Sequence, residues 1–246
     1  MSDSTAKPIV VGILQCGEVP DTLSAQFPDY NEMIEIGLKR ADHNIHCITF
    51  RVLDGEIPHP AACDAWITTG SRFSVNDPNE WTEKFSEFVS DTHQLKIPFV
   101  GICYGMQMMA KALGGTVEYA EKGWGVGVAT STVYEKAPWM ANLKEAANLV
   151  VSHQEQVTEL PAEAVLLAGS DFCPNGIFQV GSSMLGIQGH PEFTTDYSRA
   201  LMDARRSIIP AKAVEAGMDS LSKPVDGSWA FEWIAWFLRR KTTPRR

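Results

Sequence analysis

The 246-residue chain predicts an α/β fold, a three-layer α/β/α sandwich in which a mostly parallel sheet carries helices on both faces. Two observations support this. Short continuous apolar runs, such as Pro8–Leu14 and Ile97–Ile102, have the pattern of strands buried on both sides. Between such runs lie segments with apolar residues three and four apart, among them Tyr30–Arg40 and Trp81–Leu95, which is the period of a helix with one buried face. Layers of this kind must bury those faces against each other, and a sheet between two helical layers does so.

Taken in order, Pro8–Leu14 reads as a central parallel strand. Gln15–Glu18 follows at its C-terminal end, the edge where ligands bind in doubly wound sheets, although Cys16 there reads first as a core or loop residue. Tyr30–Arg40 is a helix through Met33, Ile34 and Leu38, and His46–Val52 alternates like a strand. Cys63–Thr69 is a strand running into a loop at Gly70–Arg72. Trp81–Leu95 is an amphipathic helix through Trp81, Phe85, Phe88 and Val89. After Pro98 a buried strand leads into a helix with Met106, Met109, Ala110 and Leu113 on one stripe, stopped by Gly114-Gly115. Val117 begins another strand. Gly123–Val128 is a glycine-spaced turn and bent strand, not a phosphate loop, because it lacks GxxxxGK.

Val165–Gly169 and Gly176–Val180 have the look of antiparallel strands, and Ser183–Gln188 is a strand leading to His190. Thr194 or Thr195 caps a helix that starts near Asp196 and runs through Tyr197, Leu201 and Ala204. The stretch 207–228, with Pro210, Gly217, Pro224 and Gly227, fits a lid, an oligomer contact or a decoration. Trp229–Leu238 is a last amphipathic helix, with Trp233 and Phe237 as core. No repeat or low-complexity linker interrupts the chain, so 1–246 is expected to be one domain with 207–246 as a C-terminal extension packed on it.

Apolar residues make up 44% of the chain and charged ones 21%, ordinary for a water-facing globular protein. A net charge of −9 argues against a nucleic-acid or anionic-membrane partner, which calls for a basic surface. The tail, with Arg239-Arg240-Lys241 and Arg245-Arg246, is the basic segment, and it reads as a solvated C-terminus. The cysteines Cys16, Cys47, Cys63, Cys103 and Cys173 are odd in number, widely spaced and without a zinc pattern. That usage suits the reducing cytoplasm. Met1–Lys7 is short and polar, and no run approaches the roughly 18 apolar residues of a membrane span. The histidines form no ligand set, so no metal site is expected.

Chemistry concentrates in Gly101-Ile102-Cys103-Tyr104-Gly105. Cys103 stands where a buried strand turns sharply into a helix, with a glycine two residues away on each side, as a nucleophile elbow requires. A helix N-terminus favours the thiolate, and the amide of Tyr104 is placed to help bind an oxyanion. Taken alone, the stretch fits a buried structural cysteine equally well. A second stretch, Gly189-His190-Pro191-Glu192, changes that balance. Pro191 keeps His190 extended, so His190 and Glu192, two apart, point the same way. Glu192 then orients the imidazole while His190 serves Cys103 as base. His153 is a competing base, with Glu155 two residues beyond it.

Gly-Ile-Cys-Tyr-Gly-Met-Gln followed downstream by Gly-His-Pro-Glu resembles the class I, triad-type glutamine amidotransferase family. It is most similar to stand-alone GMP-synthase-like members and to the related γ-glutamyl peptidases, over about Ile9 to Arg199. The resemblance implies a flavodoxin-like fold and decides for His190 over His153, making Cys103, His190 and Glu192 the triad. It implies that the amides of Gly70 and Tyr104 form the oxyanion hole. Gln107, in the CxGxQ pattern, would contact the bound γ-glutamyl group, and Ser152, His153 and Gln154 would wall the glutamine pocket. Arg72 is a candidate for a substrate carboxylate or for a surface salt bridge.

The implied reaction is hydrolysis of the γ-carboxamide of L-glutamine to glutamate and ammonia through a γ-glutamyl thioester, without a cofactor. Since the chain has no phosphate loop and no room for an ATP pyrophosphatase domain after residue 246, either a separate synthetase subunit accepts the ammonia or there is no acceptor. An alternative is a γ-glutamyl peptide hydrolase. Gly189, where many GMP synthase glutaminase domains carry a bulky residue, would open room beside the base for a larger leaving group. A second alternative is a non-catalytic partner protein with the glutaminase fold.

Overall fold

In β1 (Ile9–Leu14) alternate side chains serve opposite layers. Val11 and Ile13 join a buried cluster with Ile34, Leu38 and Phe231, whereas Leu14 joins another with Trp66, Phe85 and Phe99. A strand with helices on both sides must be apolar on both faces, which is why the run Ile9–Leu14 is unbroken. The computed structural model describes residues 7–77, 80–140 and 144–240. Met1–Ala6 and, of the basic tail, Lys241, Arg245 and Arg246 lie outside them.

The first half of the chain lays down β1, α1 (Tyr30–Ala41), β2 (Ile45–Phe50), β3 (Ala65–Thr68), α2 (Glu80–Gln94), β4 (Phe99–Ile102) and α3 (Tyr104–Ala112). The second half adds β5 (Thr116–Tyr119), β6 (Gly125–Val133), β7 (Ala146–His153), β8 (Glu155–Glu159), β9 (Ala164–Gly169), β10 (Ile177–Val180) and β11 (Met184–Ile187). It ends with α4 (Thr195–Ala204), α5 (Ala211–Ser220) and α6 (Gly227–Leu238). The central sheet runs β2-β1-β3-β4-β11-β10-β9-β6-β7. Strands β2, β1, β3, β4 and β11 pair in parallel. From β10 onward the pairing is antiparallel, as the turn-bounded runs at Val165–Gly169 and Gly176–Val180 predict. β5 and β8 form a separate two-stranded ribbon.

Helix starts follow local chemistry. Asp29 caps α1 in a full capping box with Glu32, satisfying two N–H groups that the helix leaves without partners. Of the two candidate threonines, Thr194 is the cap of α4, accepting from the N–H of Tyr197, and Thr195 is the first residue of the helix. Helices α2 and α3 cover one face of the parallel half through Phe85, Phe88, Met106 and Met109. Helices α1 and α6 cover the other. In α6, Trp233, Ile234 and Phe237 are core while Trp236 is 63% exposed.

The stretch 207–228 holds α5, whose Val214 is buried with Val128, Leu201 and Met202. Ser220 Oγ accepts the N–H of Val128 at 2.8 Å and donates to the carbonyl of Gly217. The segment therefore docks on β6 and α4. Among the described residues no helix is long and apolar enough to cross a membrane.

Candidate active site

Three loops meet at the C-terminal edge of the parallel strands. β11 lies directly beside β4, with Ile187 opposite Ile102, and β4 lies beside β3. Cys103 after β4, Gly70 after β3 and Gln188–Glu192 after β11 consequently emerge side by side. This is the edge where open α/β sheets bind their ligands.

Cys103 is the N-cap of α3 and has φ 49° and ψ −102°. A side chain other than glycine rarely adopts such a backbone. Its N–H donates to the carbonyl of Ile187 at 2.8 Å, and its own carbonyl accepts from Gln107. The turn closes because its flanking residues have no side chains. A Cβ on Gly101 would lie 2.5 Å from the backbone of Gly105, and one on Gly105 would lie 1.8 Å from Thr68 Oγ1. That hydroxyl accepts the N–H of Ile102 at 3.0 Å, tying β3 to the elbow. Tyr104 opens the helix, so its N–H has no intrahelical acceptor, while its ring turns into the core against Trp81 and Phe85.

His190 is held from every side. Its Nδ1–H donates to Glu192 Oε1 at 2.7 Å, and the Glu192 side chain is fully buried. Phe193 stacks flat on the imidazole with ring centroids 4.0 Å apart. Phe193 is itself packed by Tyr30 and Tyr197, whose hydroxyls hydrogen-bond at 2.8 Å. The N–H of His190 donates to the carbonyl of Val150 on β7. Gly70 closes the assembly: a Cβ there would stand 2.6 Å from His190 Cε1 and 3.6 Å from Cys103 Cβ. The turn at Gly70 is fixed by Thr69, whose hydroxyl donates to the carbonyl of Gly70 and accepts the N–H groups of Cys16 and Gly17.

Two buried histidines are driven in opposite directions. Burial works against a charge on His190, but the Glu192 carboxylate and the Cys103 sulfur outweigh it and raise the group from 6.5 to about 10. Burial pushes His153 down to about 3, and His190 adds to the effect. His153 is therefore neutral, packed against Phe172, and Glu155 does not orient it. The Glu155 carboxylate accepts from Ser74 Oγ at 2.8 Å instead.

The remaining expected site residues are spread more widely. Gln107 is 4% exposed and donates through Nε2 to the carbonyl of Glu155 at 2.7 Å and to Gln188 Oε1 at 3.2 Å. Ser152 turns away from His153, its Oγ accepting from Arg205 at 3.1 Å, as neighbours in a strand must. Gln154 is half-buried, and its carbonyl accepts from Ala120. Arg72 is exposed, with its guanidinium 5.0 Å above the Phe73 ring. Cys16 is core, buried with Leu14 and Tyr104. Gly189 does not open room beside His190. A Cβ there would meet Leu149 at 2.7 Å, so the position faces the tightly packed β7. Gln188, Thr69 and Phe193 were not among the expected site residues. The spacing rule that sets Glu192 beside His190 also sets Gln188 there, two residues upstream.

The profile of the class-I glutamine amidotransferase family matches residues 62–204, and the chain belongs to that family. Gamma-glutamyl peptidase 3 of Arabidopsis thaliana is 29% identical over 63% of this chain and 66% of its own length. A glutamine amidotransferase-like protein of Schizosaccharomyces pombe is 26% identical over 93% of this chain and 98% of its own length. The glutamine-hydrolysing GMP synthase of Thermosynechococcus vestitus is 30% identical over 66% of this chain, which spans only 29% of that protein. In architecture the chain matches the crystal structure of a glutamine amidotransferase from Thermotoga maritima, with a TM-score of 0.72 and 18% identity. The match covers 94% of this chain and 99% of that one.

The two histidines make opposite demands on pH. Because folding favours the imidazolium of His190, its contribution to stability is complete below 6.5 and is lost as pH rises through about 10. His153 is held neutral, so acidification below 6.5 costs stability. Glu192→Gln should therefore flatten the alkaline limb of a plot of thermal midpoint against pH and leave the acid limb in place. A variant that falls as steeply as the parent on the alkaline side would contradict this electrostatic account.

Proposed function

We propose that the protein hydrolyses the γ-carboxamide of L-glutamine, with Cys103 as nucleophile, His190 as acid–base and Glu192 as its orienting carboxylate. The observation that carries this reading is the placement of one imidazole. His190 is bound to Glu192, stacked on Phe193 and set against Gly70 beside a cysteine held in a strained elbow. Cys103 would attack the amide carbon as thiolate. The amides of Gly70 and Tyr104 would receive the developing oxyanion; loss of one such donor typically raises a barrier by roughly 2.7–4 kcal/mol. His190, held as imidazolium by Glu192, is suited to give its proton to the departing ammonia. It would then take a proton from the water that releases glutamate from the thioester.

In the same reading Gln107 contacts the bound γ-glutamyl group. Both N–H groups of its amide are engaged, so its Oε1 is what it can offer a substrate ammonium. Ser152, His153 and Gln154 contribute backbone and, for His153, a neutral ring to the pocket wall, and Arg72 is an outer candidate for a carboxylate. The chain acts as one domain, with α5 and α6 of the C-terminal extension packed on it. A separate synthetase subunit would accept the ammonia. The described cysteines are all free thiols, consistent with work in the cytoplasm.

A γ-glutamyl peptide substrate is the second reading. It is supported by the names of the plant relatives and no longer by Gly189, whose space is taken by Leu149.

Glutamate release by the purified chain should be measurable with L-glutamine or with glutathione, and the ratio of the two rates distinguishes the readings. Cys103→Ala should abolish both rates. If it leaves release unchanged, the nucleophile is elsewhere. Gly70→Ala should lower turnover roughly 100-fold by displacing the imidazole while the circular dichroism spectrum stays that of the parent. Activity within a factor of about two of the parent would show that the close approach of residue 70 to His190 does not matter to the reaction.

A further inference from the structure

The sulfur of Cys103 has a neighbour that the triad leaves unexplained. Gln188, two residues before His190, is 2% exposed, and its Nε2 stands 3.5 Å from Cys103 Sγ. At its other end, Gln188 Oε1 accepts from Gln107 Nε2 at 3.2 Å. Gln107 uses the same nitrogen to donate to the backbone carbonyl of Glu155 at 2.7 Å.

The two ends of a carboxamide have nearly the same shape but opposite roles, since one only donates and the other only accepts. Here their order is forced. A backbone carbonyl can only accept, so Gln107 must turn its NH2 group toward Glu155, and its second N–H then faces Gln188. Gln188 must answer with its oxygen, which leaves its own NH2 group facing the sulfur. The start of β8 thus dictates, through two buried amides, that Cys103 meets a donor. Had Gln188 been reversed, a carbonyl oxygen would press on the sulfur and favour the protonated thiol.

We propose that Gln188 holds the Cys103 thiolate by donating a hydrogen bond to it, and that Gln107 is a positioning residue that fixes the polarity of this donor. The proposal rests on the reading of Cys103 as the nucleophile. A donor to an ionised acceptor favours the ionised form. It keeps the sulfur ready to attack without occupying His190, which stays free to deliver its proton to the leaving group. The other titratable groups around the sulfur are His190 with Glu192 behind it, Tyr30 and Cys173, while His153 faces His190. The Glu155 carboxylate is taken up by Ser74.

The test is alkylation of the full-length chain by iodoacetamide across a pH series, read at Cys103 by mass spectrometry. It needs no turnover, so it remains informative if the substrate is not glutamine. In Gln188→Met, which keeps the length and removes the donor, the profile should move to higher pH, with a roughly tenfold or greater fall in rate on its acidic limb. Gln107→Met should move it the same way by a smaller amount, although Gln107 makes no hydrogen bond to the sulfur. It also carries the test alone if Gln188→Met loses the parent's circular dichroism spectrum. In glutamate release, Gln188→Met should lower kcat and leave KM nearly unchanged. Variant profiles that superimpose on the parent's would overturn the proposal. A parent in which Cys103 is alkylated no faster than Cys47 would instead overturn the nucleophile reading on which it rests.

Discussion

Everything at the sheet edge depends on a backbone bend that Cys103 does not adopt willingly. A non-glycine residue at φ 49° and ψ −102° sits in a region that costs on the order of 1–3 kcal/mol, and the surrounding structure must hold it there. It does so through interlocked contacts. The N–H of Cys103 is bound to the carbonyl of Ile187 on the neighbouring β11, Thr68 Oγ1 binds the amide of Ile102, and the two flanking glycines let α3 pass close over β4 and β3. Relaxing the bend would carry the sulfur away from His190 and Gln188 together. The parallel order β3-β4-β11 is thus the frame that places the Cys103 sulfur, the imidazole and the Gly70 turn within reach of one another.

Around that bend the polar groups are sorted by what they can donate or accept. Glu192 is buried against His190, and the imidazole between it and the sulfur is driven toward the charged form. His153 has no such partner and is driven to the neutral form. Low-dielectric surroundings amplify both effects, because a buried charge survives only where an opposite charge or a hydrogen bond answers it. The carboxamides of Gln107 and Gln188 extend the same logic without charge, carrying polarity from the Glu155 carbonyl to Cys103. Aromatic packing by Phe193, Tyr30 and Tyr197 fixes the ring that the electrostatics charge.

Much of this was legible in the sequence wherever a local rule decides the outcome. The elbow is written in Gly101, Gly105 and the strand-to-helix change of period, and the pairing of His190 with Glu192 follows from extended spacing around Pro191. The two-faced strands β1 and β4 and the cap at Thr194 are local too. The rest depends on which strands become neighbours, and periodicity does not report that. Thr69 matters because β1 ends beside β3, and Phe193 because the chain folds back over the imidazole. Gly189 departs from the sequence expectation because adjacency to His190 in the chain does not set its neighbours in space, and in the fold its space belongs to Leu149 on β7. Ser152 and His153 are adjacent in sequence yet face opposite sides of β7, so only one of them can look toward the site. The place of 207–228 was open because its glycines and prolines are compatible with a loop, and its docking on β6 rests on Val214 and Ser220.

The central claim, that the elbow cysteine is the group that attacks a γ-glutamyl carbonyl, is tested most directly by covalent capture. The chain would be treated with a glutamine analogue carrying a chloromethyl ketone in place of the carboxamide, with and without excess L-glutamine, and the labelled peptide identified by mass spectrometry. The account predicts one adduct, on Cys103, with labelling slowed by glutamine. Labelling that falls on Cys47 or Cys63, or that glutamine does not slow, would contradict it.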